Sequence, residues 1–445
     1  MFKLNDRFSA WMGEQVALYP PLIEDLSRFY KNRDRSPIHP DRPIDHKITE
    51  ENIIDITQAT IVDASGKEIA ISFIYDGTPR GLSGENLYKF QKFTNKISEH
   101  NSIKNHISEK SIRKISQDYI RELYLKKNKT EFGEIIEKYF SENVQKQKIF
   151  IPVKGLRIDG ELKFGSSTIT TFSNSIMSNF EELVHKLPNA DRNHGFLQKL
   201  RKNFLGRSVL IFHLEAEEIR AFEIAEERSE RYLSLLHYWS APILIFNITS
   251  HVAPADLRPW PSLLRLAFSK DSAQMNDSLI PPMWEMDLSF EIISHYEKFG
   301  LHVLSILSDK QENSFQEHLM RSILFYGRSA YHIDPSDKLL QITTAFEMLA
   351  LKNSTEPIGS LGADRLAFAI SNDPKIRQDI VKNFKRVYGL RSRRTHHGHD
   401  IKHEEEISKY MHNIWQFMFY SLRHWDKYTS HDEFIDNLEN MRYGH

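Results

Sequence analysis

The chain has 445 residues, and at roughly 150 residues per domain that length predicts two or three domains. Lys and Arg number 59 against 60 Asp and Glu, a formal charge of -1, which excludes a histone-like polycation and an acidic solvating protein; any nucleic-acid surface must be local. Hydrophobic residues at 40% and aromatic residues at 11% suffice for large cores, and the absence of cysteine excludes disulfides, thiolate metal sites and cysteine nucleophiles.

In chain order, Met1 to Gln15 carries early charges and no apolar h-region, so it does not read as a signal peptide. Pro20 and Pro21, then Pro37, Pro40 and Pro43, predict a loop-rich lead-in. Ile61-Val62 and Ile69 to Tyr75 flank Asp63-Ala-Ser-Gly66, a hairpin pattern. From Gly84 to about Val144, spaced Ile, Leu and Tyr in a charged background predict helices with one buried stripe. Short alternating segments at 149–153, 156–158, 160–164 and 168–172, separated by glycines, predict antiparallel sheet. Ser208 to His213 reads as a strand feeding a charged helix with Ile219, Phe222, Tyr232 and Leu236 on one face, and Ile243 to Phe246 reads as another strand. On that helix Glu217, Glu218, Glu223, Glu226, Glu227 and Glu230 interleave with Arg220, Arg228 and Arg231, the pattern of a solvated face rather than of a carboxylate active site. Scattered histidines such as His213 and His237 read as structural.

Beyond about Ile280 the pattern turns helical, apart from a brief Pro282/Trp284 region. Asp334-Pro335 and Asp373-Pro374 are cap-plus-proline helix starts, and Ser360 is a further cap. Apolar stripes follow: Leu339, Ile342, Phe346 and Leu349; Ile376, Ile380, Phe384 and Val387, with Gly389 as the stop; then Ile407, Met411, Ile414, Met418, Leu422 and Trp425. The expected class is α+β: a mixed, largely helical region at 1–147, an α+β region with antiparallel strands at 148–310, and an all-α helical bundle at 311–445. No run approaches the ~20 apolar residues of a membrane helix, so a soluble, cytoplasmic chain with no membrane partner is expected.

The chemistry concentrates in Tyr388 to Asp400, YGLRSRRTHHGHD. Between Lys375 and Lys402 nine basic residues face two acidic ones, a local excess of +7 before any histidine charge. Guanidinium groups chelate phosphate oxygens through paired N–H donors, and imidazole moves protons near neutral pH. Together these groups can cleave RNA without a metal: a histidine withdraws the ribose 2′-OH proton, the oxygen attacks the adjacent phosphorus, and arginine holds the non-bridging oxygens. DNA lacks that hydroxyl and is spared. On a regular helix Arg391 and His396 lie about 140° apart, so either the backbone is irregular there or two copies of the chain converge.

The run Arg391-Ser-Arg-Arg-Thr-His396, with His397 and Gly398 after it, resembles the R-polar-xxx-H motif of HEPN-domain ribonucleases, specifically the ApeA-like HEPN group. Ala345-Phe-Glu-Met-Leu349, Arg365-Leu-Ala367 and Val387-Tyr388 extend the similarity, over roughly residues 311–445. The resemblance implies an all-helical HEPN bundle, dimerisation through the motif region and endonuclease activity on RNA with no cofactor and no metal. It also implies a role in bacterial anti-phage defence or as a toxin, with a phage-derived or cognate protein as trigger. By position Arg391 is the phosphate-stabilising arginine, Ser392 the polar residue and His396 the catalytic histidine; His397 also fits the permitted spacing. Glu347 is either a polar residue that orients the arginine or a helix-surface charge, and Arg386, Arg393, Arg394 and Lys402 are candidates for binding RNA phosphates. Tyr388 continues the core stripe.

Two other readings use the same residues. A HEPN module could bind RNA or a protein partner without cutting. Alternatively His396, His399 and His403, with Asp400, have the spacing of a metal hydrolase site, against which stand Gly398 and the surrounding arginines. Phosphate-loop, nucleophile-elbow and dinucleotide fingerprints are absent from the sequence.

Overall fold

The computed structural model describes residues 2–31, 59–63, 65–127, 130–186, 190–250, 252–254, 262–269, 272–279, 283–353, 355–397 and 404–443; in 30–31, 59, 190–193, 262–269, 272–279, 283 and 391–397 it describes the backbone alone. Pro37, Pro40, Pro43 and Pro282 lie outside these residues. The protein is α+β, with a helical C-terminal part. It divides into two compact units, 1–147 with 214–224, and 148–213 with 225–445.

The first unit opens with α1 (Asp6–Val16), not with the loop expected there: the Asn5 side chain accepts from Arg7 N–H at 2.9 Å, and Met12 and Val16 are buried. Prolines that break a helix at 20–21 leave room for one before them. A 3₁₀ turn (Pro20–Leu22) leads to β1 (Glu24–Asp25) and α2 (Ser27–Lys31). Next come β2 (Ala59–Val62), β3 (Glu68–Tyr75) and β4 (Thr78–Ser83), giving an antiparallel sheet in the order β1-β4-β3-β2. The expected β2–β3 hairpin turns at Asp63, whose carboxylate accepts from Ser65 and Lys67 N–H at 2.9 Å each. At the β3–β4 turn Asp76 and Gly77 both have positive φ, 49° and 67°, the two-residue geometry that matches strand twist. Gly81 in β4 is obligatory, since a Cβ would lie 1.9 Å from the Ile71 carbonyl oxygen.

Three helices complete this unit as the stripe pattern predicts: α3 (Gly84–Ser98), α4 (Glu109–Tyr124) and α5 (Phe132–Asn143). Phe90, Phe93, Ile97, Ile112, Phe132 and Ile136 bury against Met12 and Val16. Glu217 is not on a solvated face. It is buried, and its two oxygens accept from Ser108 N–H and Tyr139 O–H, each at 2.6 Å, so it caps α4 in place of solvent. Arg220 and Glu223 do form the expected exposed pair, at 2.9 Å.

The second unit takes most of β5 (Gln145–Lys154), then β6 (Leu156–Ile158), β7 (Glu161–Phe164), β8 (Ser167–Thr171), α6 (Asn174–His185), α7 (Ala190–Phe204), most of β9 (Ser208–Ala216) and the later part of α8 (Glu218–Leu236); residues 145–147, 214–216 and 218–224 of these elements belong to the first unit. Short pieces follow: β10 (Thr249–Ser250), β11 (Ala253–Pro254), the hairpin β12 (Ser262–Ser269) and β13 (Ser272–Leu279), β14 (Met283–Trp284) and β15 (Met286–Leu288). The main sheet runs β11-β5-β9-β8-β7. Segment 156–158 departs from the antiparallel expectation: β6 pairs parallel with β15. On α8, Tyr232 and Leu236 are buried as expected, but Ile219 and Phe222 are exposed, and the buried face is carried by Ala221, Ile224, Ala225 and Leu233.

The stretch Ile243 to Phe246 is not a strand. Pro242 starts a 3₁₀ turn (Ala241–Ile243), and the carbonyls that follow are claimed by a buried lysine: Lys338 Nζ donates to Ile245 O at 3.1 Å, Phe246 O at 3.3 Å and Ile248 O at 2.6 Å. Carbonyls so engaged are lost to a sheet ladder. His237 beside this turn is structural, its ring nitrogens 2.6 Å from Leu233 O and 2.6 Å from Ser250 Oγ.

The helical part comprises α9 (Phe290–Lys298), α10 (Leu301–Asp309), α11 (Ser314–Arg328), α12 (Pro335–Ala350), α13 (Ala363–Ile370), α14 (Pro374–His397), α15 (Glu404–Arg423) and α16 (His431–Tyr443). Asp334 caps α12 through Ser336 N–H (2.7 Å), and Asp373 caps α14 through Lys375 N–H (2.7 Å), as their proline pairs predict. The stripes on α12 and α15 are buried, although α15 ends before Trp425. Ser360 caps no α-helix; it lies inside a π turn (Ile358–Gly362) that leads directly into α13. No helix among the described residues is long and apolar enough to cross a membrane.

Candidate active site

The motif lies on α14, whose inner stripe of Ile380, Phe384 and Val387 is buried while Ile376 at its start is exposed. Phe384 packs against Phe346 of α12 and Tyr410 of α15, with ring centroids 5.1 and 5.3 Å apart. Polar contacts fix α14 on α15: Asn383 Nδ2 donates to Glu406 O at 2.9 Å, and Lys409 pairs with Asp379 at 3.1 Å. Arg386, expected to bind phosphate, pairs with Glu406 at 2.6 Å and remains half exposed.

Gly389 does not end this helix. The α14 backbone stays helical to His397, eight residues further. A glycine stops a helix by adopting positive φ, and Gly389 is not among the positive-φ glycines. Placed mid-helix it costs only about 1 kcal/mol relative to alanine, which the buried turns upstream offset. Arg391, Ser392, Arg393, Arg394, His396 and His397 are therefore all residues of one regular helix, their side chains outside the described residues. The alternative of an irregular backbone bringing Arg391 and His396 together is removed for 391–397.

Helical register then sorts the motif. Arg391 follows Val387 by four residues and Phe384 by seven, which puts it on the line that is buried upstream. His396 is about 140° away from Arg391 and His397 about 120° away in the other direction. His396 instead continues the line Lys385, Gly389, Ser392, whose first member is exposed. Arg393 precedes His396 and His397 by three and four residues, the spacings that share one side of a helix. A helix C-terminus by itself favours cations, by about 0.3–1 kcal/mol each. Five Arg and His within the last seven residues go beyond what a cap needs.

Glu347 is partly buried on α12, where its carbonyl accepts from Leu351 N–H at 3.2 Å. Tyr388 stacks on Phe384 with centroids 6.0 Å apart, as a continuation of the core stripe. Lys402, and the His399, Asp400 and His403 of the metal reading, lie outside the described residues. Among the described residues no cluster of three or more His, Asp or Glu could hold a metal ion.

Two buried cations that hold this framework have no sequence motif. Burial pushes the Lys338 ammonium down to about 7, while its three carbonyl acceptors match the three donors of the charged form. Arg365 on α13, only 2% exposed, chelates Glu356 through Nη1 and Nη2 at 2.8 and 3.0 Å and reaches Glu439 of α16 at 2.7 Å and Ala350 O at 2.7 Å. The one available signal was a lysine at an inward position of an otherwise apolar helical repeat, next to Leu339 and Ile342.

No family model, curated protein or solved structure matches the chain.

Proposed function

We propose that the protein is a metal-independent endoribonuclease of the HEPN type that works as a homodimer. The observation that carries this reading is the placement of Arg391, Arg393, Arg394, His396 and His397 in the last seven residues of one helix seated on a buried bundle core. A rigid element is the better support for a proton-transferring imidazole, because catalysis depends on holding reacting atoms in a near-attack geometry. In this reading the imidazole of His396 or His397 takes the 2′-OH proton and the 2′-oxygen attacks phosphorus. The P–O5′ bond breaks as an imidazolium returns a proton to the leaving 5′-oxygen, leaving a 2′,3′-cyclic phosphate and a 5′-hydroxyl. Guanidinium groups hold the non-bridging oxygens as charge develops. Arg391 and the imidazoles occupy separate lines of one helix, so a site that needs both draws them from two copies related by a twofold axis. The reading extends to a cytoplasmic defence or toxin effector, with residues 1–310 sensing a phage-derived or cognate protein trigger.

Incubation of purified protein with RNA in EDTA tests it. Cleavage that persists in EDTA, yields cyclic-phosphate ends and disappears in the H396A/H397A double variant is the expected result. Cleavage that stops in EDTA and returns with zinc would support a metal hydrolase instead. RNA binding that is equal in both proteins, with no cleavage, would leave a binding module.

A further inference from the structure

A groove of about 640 Å³ lies between α13 and the first turns of α14. Its apolar side includes Phe368 and Val381; Arg377, Lys382 and Lys385 stand around it, with Asp364 the one carboxylate. Asp364 is neutralised by Arg442 at 3.0 Å. Among the described residues, no carboxylate pairs with Arg377, Lys382 or Lys385, and both lysines are exposed. Arg377 is held over the Phe368 ring, its guanidinium carbon 4.0 Å from the centroid, by an Nε–H bond to Ser371 O at 2.7 Å. Three uncompensated cations beside an aromatic face are the elements of a single-strand nucleic-acid groove, in which charge follows the backbone and rings stack on bases.

The register of α14 connects this groove to the motif. From Lys385 the steps to Gly389, Ser392 and His396 are four, three and four residues, so His396 lies about 20° from Lys385 around the helix and about 16 Å further along it. That distance is about five nucleotides at 3.4 Å each where bases stay stacked, and fewer where a base is splayed onto a ring. We infer that the α13–α14 groove is the substrate track of the enzyme: it holds single-stranded RNA several nucleotides from the bond cut at His396, with Lys382 and Lys385 on phosphates and the Phe368–Arg377 stack on a base. This inference rests on the ribonuclease reading for the place of cleavage, but the groove's affinity for RNA is measurable without it. Duplex is disfavoured, because its bases are already stacked and cannot meet Phe368.

The test uses the full-length H396A/H397A protein and a fluorescent single-stranded RNA of about twelve nucleotides, within the span such grooves cover. Adding K382E/K385E is expected to weaken binding at least tenfold and to lower the slope of log affinity against log salt by about 1.4, two phosphate contacts at about 0.7 each. F368A is expected to weaken binding about five- to tenfold with the slope kept. In the cleaving protein, K382E/K385E should raise KM more than it lowers kcat, with a penalty that shrinks as the RNA is shortened toward a dinucleotide. Unchanged affinity and slope, tighter binding of the duplex, or an equal penalty at every RNA length would each overturn the track. If wild type still cuts RNA in that event, the nuclease reading stands without it. A protein that binds the track RNA but never cuts it keeps the groove and loses the nuclease; one that does neither loses both.

Discussion

The separation of Arg391 from the imidazoles on one regular helix can be tested by subunit mixing. In the homodimeric nuclease proposed above, R391A removes the phosphate-stabilising charge, and loss of such a group costs about 10² to 10³ in rate. H396A/H397A removes the proton acceptor at about 10² to 10⁴. Each homodimer should therefore be nearly inactive. If the working site pairs Arg391 of one copy with an imidazole of the other, a mixed dimer holds one intact site and one doubly defective site. Two-tag purification of that heterodimer should recover about half the wild-type rate, and an unsorted equal mixture, half of it heterodimer, about a quarter. The assay is cleavage of a fluorescent RNA in EDTA, with subunit exchange confirmed by native mass spectrometry. A heterodimer as inactive as its parents would refute the reasoning, because it would mean that one copy supplies both groups despite the roughly 140° between them.

Three further outcomes follow from the framework beneath the site. K338M keeps the stem but leaves one buried and two part-buried carbonyls without their donor, and a buried one alone is worth about 1–3 kcal/mol, so the second unit should lose about 2 kcal/mol or more in denaturant melts; an unchanged midpoint would show that the 245–248 turn holds itself. R365M strands Glu356 and Glu439 and should cost about 3–5 kcal/mol, with R365K recovering only part because an ammonium cannot chelate both Glu356 oxygens. Thermal unfolding of the two variants side by side reads that order. Burial holds the His431 imidazole below its ordinary value, assisted by the His318 ring stacked 4.1 Å away and by Arg365, and opposed by the contact with Leu349 O and by Asp432. The unfolded chain then takes up this proton first, so wild type loses stability as pH falls through about 6.5, and H431Q should lack that part of the loss. Parallel melting-versus-pH curves for the two would exclude the effect.

Much of the architecture was legible because local rules and burial agree. The cap-plus-proline pairs at Asp334 and Asp373 start α12 and α14, and the stripes Leu339-Ile342-Phe346-Leu349 and Ile380-Phe384-Val387 are the buried faces. The β3–β4 hairpin at Asp76-Gly77 was not read from the sequence, because Pro79 and Gly81 hide the strand that follows; β4 needs a glycine at 81, which passes against Ile71 where no side chain fits. Other features were not legible because tertiary partners decide them. Ile243 to Phe246 has strand composition, yet its carbonyls belong to Lys338, some ninety residues away in sequence. Glu217 looks like one more surface acid in a charged run, and only the folded chain brings Ser108 and Tyr139 to it.

Gly389 is the case in which local reading and structure differ with consequences for chemistry. Read as a helix stop, it makes the motif a loop, and a loop could bring Arg391 and His396 to one phosphate within a single copy. With α14 continuous to His397, that freedom is gone: the arginine stays on the line of Phe384 and Val387, and the histidine on the line of Lys385. Two demands then follow from one backbone fact. If the protein is the nuclease proposed above, a second copy has to complete the arginine–imidazole pair, and the strand to be cut has to approach along the exposed side of α14, where Lys382 and Lys385 stand without carboxylate partners among the described residues. G389P separates these consequences from the motif's composition. Proline at this position removes the N–H bond to residue 385 and kinks or breaks the helix at a cost of about 3 kcal/mol, while every Arg and His is retained. If the proposed ribonuclease activity depends on the register of α14, G389P should cut RNA far more slowly than G389A, which keeps the helix, with light scattering showing the two proteins in the same oligomeric state. Equal rates would mean that the order of the residues matters and the helix that carries them does not.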